Sequence, residues 1–148
     1  MTDLAELYQG LILDHNRSPR NYGAPAESDA NAEGRNPLCG DELTVWVRLD
    51  GDRLEDVRFE GKGCAISRAS ASLMTAAVKG KSRDEALDLF ERFHGMVTGK
   101  SSADDPALGR LAALGGVARF PTRVKCASLA WHTLKAALEQ REPVVSTE

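Results

Sequence analysis

Thr44-Val-Trp-Val-Arg-Leu-Asp50-Gly-Asp-Arg-Leu-Glu-Asp-Val-Arg-Phe-Glu60 is the most regular stretch of the chain. Apolar residues alternate with polar ones on both sides of Asp50-Gly51-Asp52, which is the pattern of half-buried β-strands. Asp-Gly favours a tight turn between antiparallel strands, because both residue types tolerate the left-handed backbone that such turns need. The stretch therefore predicts a β-hairpin.

Helical spacing of apolar residues dominates the rest of the chain. Capping and stop signals predict five helices, from Asp3 to Arg17, Cys64 to Gly80, Ser82 to Gly95, Asp104 to Gly115 and Thr122 to Leu138. Residues 21–38 have no clear period and are predicted to form a long loop with a short edge strand. Strands followed by helices predict an α+β fold, a small antiparallel sheet with helices packed on one face.

The chain has 148 residues, which is typical of one domain that buries roughly 70% of its unfolded surface. We therefore expect a single domain over residues 1–148, with a flexible tail at 141–148. With 19 basic and 22 acidic residues the chain lacks the excess of positive charge that nucleic-acid binding requires. The N-terminus lacks a basic leader and no run approaches the ~20 apolar residues of a membrane span, so we expect a cytoplasmic protein without a membrane partner.

Four potential metal ligands lie at the ends of predicted segments. Cys39 and Asp41 share the Pro37–Asp41 turn, Cys64 follows two glycines where a helix begins, and Cys126 opens the last helix. Thiolate and carboxylate groups are both zinc ligands, and the position of Cys64 favours a thiolate. Cys64 and Cys126 could equally pack as small apolar residues, and Asp41 could cap the turn. Cys39 is harder to explain as a core residue, because its turn offers little apolar surface.

Other residues could in principle contribute to a site. His15, His94 and His132 are potential zinc ligands, but we expect all three to be ordinary surface residues. Signatures of hydrolases and nucleotide-binding proteins are absent from the sequence. Cysteine chemistry or metal binding is therefore the best interpretation of the residues alone.

Three motifs resemble those of the SufU family, whose members are related to IscU-type (NifU N-terminal-like) iron-sulfur cluster scaffolds. The motifs are Gly34-Arg-Asn-Pro-Leu-Cys-Gly-Asp41, Gly61-Lys-Gly-Cys-Ala-Ile-Ser-Arg-Ala-Ser-Ala-Ser72 and Arg123-Val-Lys-Cys-Ala-Ser-Leu-Ala-Trp131. The likeness extends over nearly the whole chain. It implies the IscU-like (SufE/NifU-type) α+β fold and a zinc ion held by Cys39, Asp41, Cys64 and Cys126. The alternative that it leaves open is a 2Fe-2S cluster on the same four residues.

Three departures from the scaffold pattern favour the SufU branch. Lys125 stands where the scaffolds have a histidine before the last cysteine. Residues 120–125 replace the scaffolds' Leu-Pro-Pro-Val-Lys chaperone-docking motif, and residues 95–118 resemble an insertion typical of SufU proteins. The resemblance therefore implies a zinc-dependent sulfurtransferase of iron-sulfur cluster assembly rather than a scaffold.

The resemblance also implies partners and roles. A SufS-type cysteine desulfurase, which carries its own pyridoxal phosphate, would deliver persulfide sulfur to Cys39 while a desulfurase histidine takes the place of Cys39 on zinc. A downstream SUF cluster-assembly scaffold would receive the sulfur. Arg123 and Lys125 could offset the charge of the ligands, contact the partner or simply face solvent. A zinc hydrolase is the weaker interpretation, since four protein ligands leave no position for water, and a purely structural zinc is a further alternative.

Overall fold

The computed structural model describes residues 2–37, 40–102, 104–139 and 144–146, apart from the side chains of residues 2–8 and 144–146. The elements in chain order are α1 Thr2–Arg17, β1 Ala30–Asn36, β2 Asp41–Asp50, β3 Arg53–Lys62, α2 Ala65–Val78, α3 Arg83–Val97, a 3₁₀ helix Pro106–Arg119, α4 Pro121–Glu139 and β4 Val144–Ser146. No helix in these described ranges combines the length and the apolar composition needed to cross a membrane.

The predicted hairpin is confirmed and forms one side of the sheet. β2 pairs with β3 in antiparallel register, with Asp50 opposite Arg53 across the two-residue turn. The strand order is β3-β2-β1-β4, in which β1 is antiparallel to β2 and β4 is parallel to β1. The sheet is thus antiparallel except at its short last strand.

Strand β1 differs from the expectation of a loop with an edge strand. It is a seven-residue strand in the interior of the sheet, between β2 and β4. Its inward positions carry Ala30, Ala32, Gly34 and Asn36. These small or polar residues have low β-propensity, so the sequence carried no strand signal. Their small size is what allows α4 to pack directly on the strand.

Helices cover a single face of the sheet, which confirms the predicted α+β class. Leu43, Val45 and Val47 of β2 are buried beneath them, while the intervening residues are exposed or half-buried. Trp131 of α4 stacks on Phe93 of α3 at 4.9 Å between ring centroids and is fully buried. The apolar core therefore lies between the sheet and the helices.

Several element boundaries refine the predictions. The capping box of Ser82 and Glu85 at the start of α3 is confirmed. Helix α4 begins at Pro121 rather than after a Thr122 cap, so Cys126 lies in its second turn instead of its first. The predicted short helix is a 3₁₀ segment that reaches Arg119 and is interrupted by a kink at Gly109, where the backbone is not helical (φ 52°, ψ −126°). Residues 144–146 of the expected tail pair with β1, and residues 140–143, 147 and 148 lie outside the described part of the chain.

The packing of α4 on β1 is closest at Gly34. A Cβ atom on Gly34 would collide with Thr133 Oγ1 and lie 3.0 Å from Leu129 Cδ1. Thr133 Oγ1 donates a hydrogen bond of 2.7 Å to the Leu129 carbonyl, which holds the hydroxyl in place. A side chain at position 34 would therefore separate the helix from the strand.

His15 is buried, contrary to the expectation of a surface residue. Its side chain is 2% exposed, and Nδ1 lies 2.7 Å from Ser72 Oγ, which also accepts a 2.8 Å hydrogen bond from the Arg20 N–H. Burial is the main cause that lowers the pKa of His15 from 6.5, and nearby Arg20 acts in the same direction. His15 is thus a neutral core histidine that joins α1 to α2.

We expect Gly34→Ala to lower the free energy of unfolding by about 1–3 kcal/mol, because overpacking displaces a helix from its strand. Adding Thr133→Ala should recover part of this loss, since it removes the colliding Oγ1. Gly10→Ala is the matched control, because among the described residues no atom other than the adjacent backbone of α1 lies within 4 Å of the added Cβ, and it should stabilise α1 slightly. Denaturant unfolding measures all of these. Equal effects at positions 10 and 34 would contradict the account.

We expect stability to fall as the pH drops below 6.5, the ordinary pKa of histidine. The folded pKa of His15 is lowered, so the unfolded chain takes up the proton first and is stabilised relative to the folded state. His15→Gln should flatten the curve of unfolding free energy over about pH 5 to 8. Burial also lowers the pKa of His132, so His132→Gln is compared with His15→Gln. The double variant should have the flattest curve of unfolding free energy against pH. An unchanged slope in His15→Gln would show that His15 is not the titrating group.

Candidate metal centre

Three of the predicted ligands come together at one end of the sheet. Asp41 begins β2, Cys64 is the N-cap residue of α2 and Cys126 lies in the second turn of α4. One ligand atom from each residue lies within 4.8 Å of the others. The fold thus joins groups that are far apart in sequence into one cluster, which we call the Asp41–Cys64–Cys126 cluster.

The contact between Asp41 and Cys64 depends on a glycine. The Cys64 backbone N–H donates a 2.9 Å hydrogen bond to Asp41 Oδ1, and Cys64 Sγ lies 4.0 Å from Asp41 Oδ2. A Cβ atom on Gly63 would collide with the same carboxylate. Gly63 therefore leaves the space in which Asp41 reaches the start of α2.

Cys64 occupies the position that its sequence context predicted. Its backbone is extended (φ −72°, ψ 167°), and its side chain caps none of the free N–H groups of α2. The partial positive charge at a helix N-terminus stabilises a thiolate. Cys64 is half-buried and Cys126 is fully buried.

Cys126 does not lie in purely apolar surroundings, although its exposed fraction is 0%. Its Sγ is 3.7 Å from the Asn36 side-chain nitrogen and 3.7 Å from the Thr122 carbonyl oxygen. The alternative of a simple core cysteine therefore fits poorly. The contact with Asn36 was not foreseen, because Asn36 belongs to residues 21–38, which were predicted to form a long loop with a short edge strand.

Of the two predicted supporting residues, Arg123 faces the cluster. Its guanidinium is solvent-exposed, and its electrostatic interaction with Cys64 and its hydrogen bond with Cys126 raise its pKa. Lys125 is half-buried, and in the described part of the chain no hydrogen bond or ion pair connects it to Asp41 or Cys64. Arg123 is therefore the cation that the fold places beside the thiols.

Cys39 lies outside the described residues, so its place as fourth ligand remains a prediction. Its turn joins two residues that the structure does place. Asn36 at the end of β1 pairs with Asp41 at the start of β2, and residues 37–40 connect them. The connection that carries Cys39 thus leaves the sheet at Asn36 and re-enters it at Asp41, a member of the Asp41–Cys64–Cys126 cluster.

The donor set fits a zinc ion. Ligand atoms of tetrahedral zinc lie roughly 3.3–3.8 Å apart, since Zn–S is about 2.3 Å and Zn–O about 2.0–2.2 Å. The 4.0 Å between Cys64 Sγ and Asp41 Oδ2 is close to this spacing. Asp41 is 1% exposed, and a buried carboxylate beside two thiols is costly unless a cation compensates it. Small side-chain adjustments would suffice to hold the ion.

None of the three histidines belongs to the cluster. His15 bonds to Ser72, as described above. His94 and His132 lie between α3 and α4, with ring centroids 5.6 Å apart, and both contact Phe90. Both are half-buried rather than surface residues as expected. Among the described residues, the cluster that could bind a metal therefore contains sulfur and oxygen donors only.

Comparison with known proteins places these features in a family. Residues 7–127 match the model of the NifU-like N-terminal domain. The chain is 44% identical to the zinc-dependent sulfurtransferase SufU of Bacillus subtilis over 140 residues, which is 95% of each protein. It is 42% identical over 140 residues to the iron-sulfur cluster assembly scaffold protein IscU of Streptococcus pyogenes, covering 95% of this chain and 87% of that protein.

The fold comparison agrees with the sequence matches. A crystal structure described as a proposed iron-sulfur cluster assembly scaffold protein for the SUF system of Fervidobacterium islandicum superposes with a TM-score of 0.82. It is 39% identical, and the match covers 86% of this chain and 93% of that one. Relatives of nearly equal identity thus carry the names of a sulfurtransferase and of a scaffold. With its fold, the Asp41–Cys64–Cys126 cluster and these matches, the chain belongs to the NifU-like N-terminal domain family.

Proposed function

We propose that the chain is a zinc-dependent sulfurtransferase, which accepts persulfide sulfur from a SufS-type cysteine desulfurase in the cytoplasm and passes it to a downstream SUF cluster-assembly scaffold. The observation that carries the proposal is the Asp41–Cys64–Cys126 cluster, with Asp41 at the foot of the turn that contains Cys39. The 44% identity to a protein named as a zinc-dependent sulfurtransferase supports it.

In this proposal Cys39, Asp41, Cys64 and Cys126 hold one zinc ion. Bound zinc would keep the thiols deprotonated at neutral pH and prevent them from pairing as disulfides. The protein's own contribution is to hold the ligands in place. The Cys64 N–H fixes one oxygen of Asp41, and Arg123 places positive charge next to a group of anionic ligands.

The proposed reaction is an exchange between a thiolate and a persulfide. The Cys39 thiolate attacks the terminal sulfur of the desulfurase persulfide, a new S–S bond forms on Cys39, and the desulfurase cysteine leaves as a thiolate. The exchange needs neither an oxidant nor a reductant. A second thiolate would pass the sulfur on by attacking the outer sulfur of the Cys39 persulfide, with Cys39 leaving as a thiolate.

Cys39 is the proposed acceptor because the other two cysteines are held in the body of the fold. Cys126 is fully buried in α4, and Cys64 is anchored to Asp41 through its backbone N–H. A nucleophile that must reach a partner's active site has to come from an accessible segment. Cys39 belongs to the connection between two strands, and Gly40 beside it is exposed.

A cluster scaffold is the second candidate function, favoured by the 42% identity to a protein named as an IscU scaffold. The same four residues would then hold two iron ions. Lys125 argues against this role, since it replaces the histidine that precedes the last cysteine in the scaffolds. Iron and sulfide reconstitution in the presence of zinc separates the two functions, because only a scaffold should keep a cluster under that competition.

We expect one zinc ion per chain after anaerobic purification, and a strong loss of thermal stability when a chelator removes it. Structural zinc sites contribute about 10–16 kcal/mol of apparent binding free energy, comparable with the total stability of a domain. Elemental analysis and thermal unfolding measure both effects. Stoichiometric iron without zinc, or a melting temperature that chelation leaves unchanged, would contradict the proposed centre.

We expect Cys39→Ser to abolish persulfide capture while the chain stays folded, because the acceptor sulfur is lost but the core contacts are not. Peptide mass spectrometry after incubation with desulfurase and L-cysteine should find the added sulfur on the wild-type Cys39 peptide. Cys64→Ser is the matched control, which removes a ligand but keeps the acceptor. An added sulfur on the Cys64 or Cys126 peptide of wild type would show that another cysteine accepts it.

A further inference from the structure

Asn36 is the one polar residue on the inward face of β1, whose other inward positions carry Ala30, Ala32 and Gly34. Its exposed fraction is 0%. Burial of an amide costs free energy unless hydrogen bonds replace those it made with water. A small apolar residue would fill the strand at a lower cost, so a specific contact must account for the asparagine.

That contact is with the sulfur of Cys126. The Asn36 Nδ2 group donates towards Cys126 Sγ at 3.7 Å, across more than half the length of the chain. Asn36 Oδ1 is buried and has no hydrogen-bond partner among the described residues. The amide is therefore oriented with its N–H group towards the sulfur.

Metal binding by Cys126 would make this donor more important. As a thiol, Cys126 donates its hydrogen to the Thr122 carbonyl oxygen at 3.7 Å. A metal-bound thiolate has no hydrogen to donate, so its sulfur faces that oxygen without an attractive contact. An N–H donor on another side of the sulfur compensates for this, since hydrogen bonds to charged acceptors are stronger than neutral ones.

We propose that Asn36 is a positioning residue of the metal centre, whose side-chain amide donates to the Cys126 thiolate, holds it as a retained ligand and lowers its reactivity. The inference rests on the proposed zinc centre. It assigns a function to Asn36, the strand residue from which the chain enters the turn with Cys39. Asn36 lies opposite Asp41 in the β1–β2 pairing. One residue therefore links the start of that turn to the ligand on α4.

Cobalt(II) loading tests the contact without a desulfurase. Two variants remove the N–H donor in different ways: Asn36→Asp keeps the shape and adds charge, and Asn36→Ala leaves a void. In both we expect the sulfur-to-cobalt charge-transfer band to move to longer wavelength, because a thiolate without its donor gives up an electron more easily. Zinc affinity, measured by chelator competition, should fall about 10- to 100-fold, as is usual when a residue that orients a metal ligand is replaced.

Ser70→Ala is the matched control. Ser70 Oγ donates a buried 2.6 Å hydrogen bond to the Ala127 carbonyl, one residue from Cys126, without a bond to a sulfur atom. It should lower stability but leave the band and the zinc affinity unchanged. Circular dichroism of each variant confirms that it is folded.

Alkylation of the zinc-loaded protein gives a second measurement. Iodoacetamide should label the Cys126 peptide faster in both Asn36 variants than in wild type, and no faster in Ser70→Ala. An unchanged band and unchanged labelling in folded Asn36 variants would overturn the inference. These readouts are independent of sulfur transfer. If the wild-type Cys39 peptide gains no sulfur but the charge-transfer band still moves in the Asn36 variants, the proposed function is refuted and the role of Asn36 stands.

Discussion

The hydrogen bond from the Cys64 backbone N–H to Asp41 Oδ1, 2.9 Å long, is the contact around which the site is organised. It joins the first residue of β2 to the N-cap of α2. It also orients a buried carboxylate so that its second oxygen lies towards Cys64 Sγ. The contact is possible because Gly63 has no side chain, which explains why a glycine precedes Cys64.

The rest of the fold brings Cys126 to Asp41 and Cys64. The hairpin sets the start of β2 beside the end of β3, from which the chain enters α2. Helix α4 reaches the same end of the sheet because the small residues of β1 let it lie directly on the strand. Gly34 permits that approach, and Asn36 at the end of the same strand touches Cys126. Packing and site geometry thus depend on the same few residues of β1.

Much of this arrangement could be predicted from local sequence. The hairpin, the capping box of α3 and the helix start at Cys64 have signals confined to a few neighbouring residues, and all of them are present. β1 could not be recognised, because its inward Ala, Gly and Asn residues have low strand propensity. They fit the strand through their small size or their contact with α4. The burial of His15 was missed for a similar reason, since its partner Ser72 lies in another helix.

The candidate site shows the same division. Cysteines at segment ends and the likeness to SufU suggested the ligands, and the structure brings Asp41, Cys64 and Cys126 together. Asn36 and the orientation of Arg123 towards the thiols depend on tertiary contacts that no local pattern records. Long-range contacts, rather than motifs, separate the residues that hold the ligands in place from ordinary polar residues.

X-ray absorption at the zinc edge, on anaerobically purified protein, tests the central claim most directly. The account predicts one zinc environment, with sulfur neighbours at about 2.3 Å and an oxygen neighbour at about 2.0–2.2 Å in a ratio of three to one. Asp41→Ala should remove the protein oxygen and leave the sulfur shell. A wild-type spectrum dominated by nitrogen and oxygen neighbours, with fewer than two sulfurs, would contradict the assignment of these residues as the metal centre.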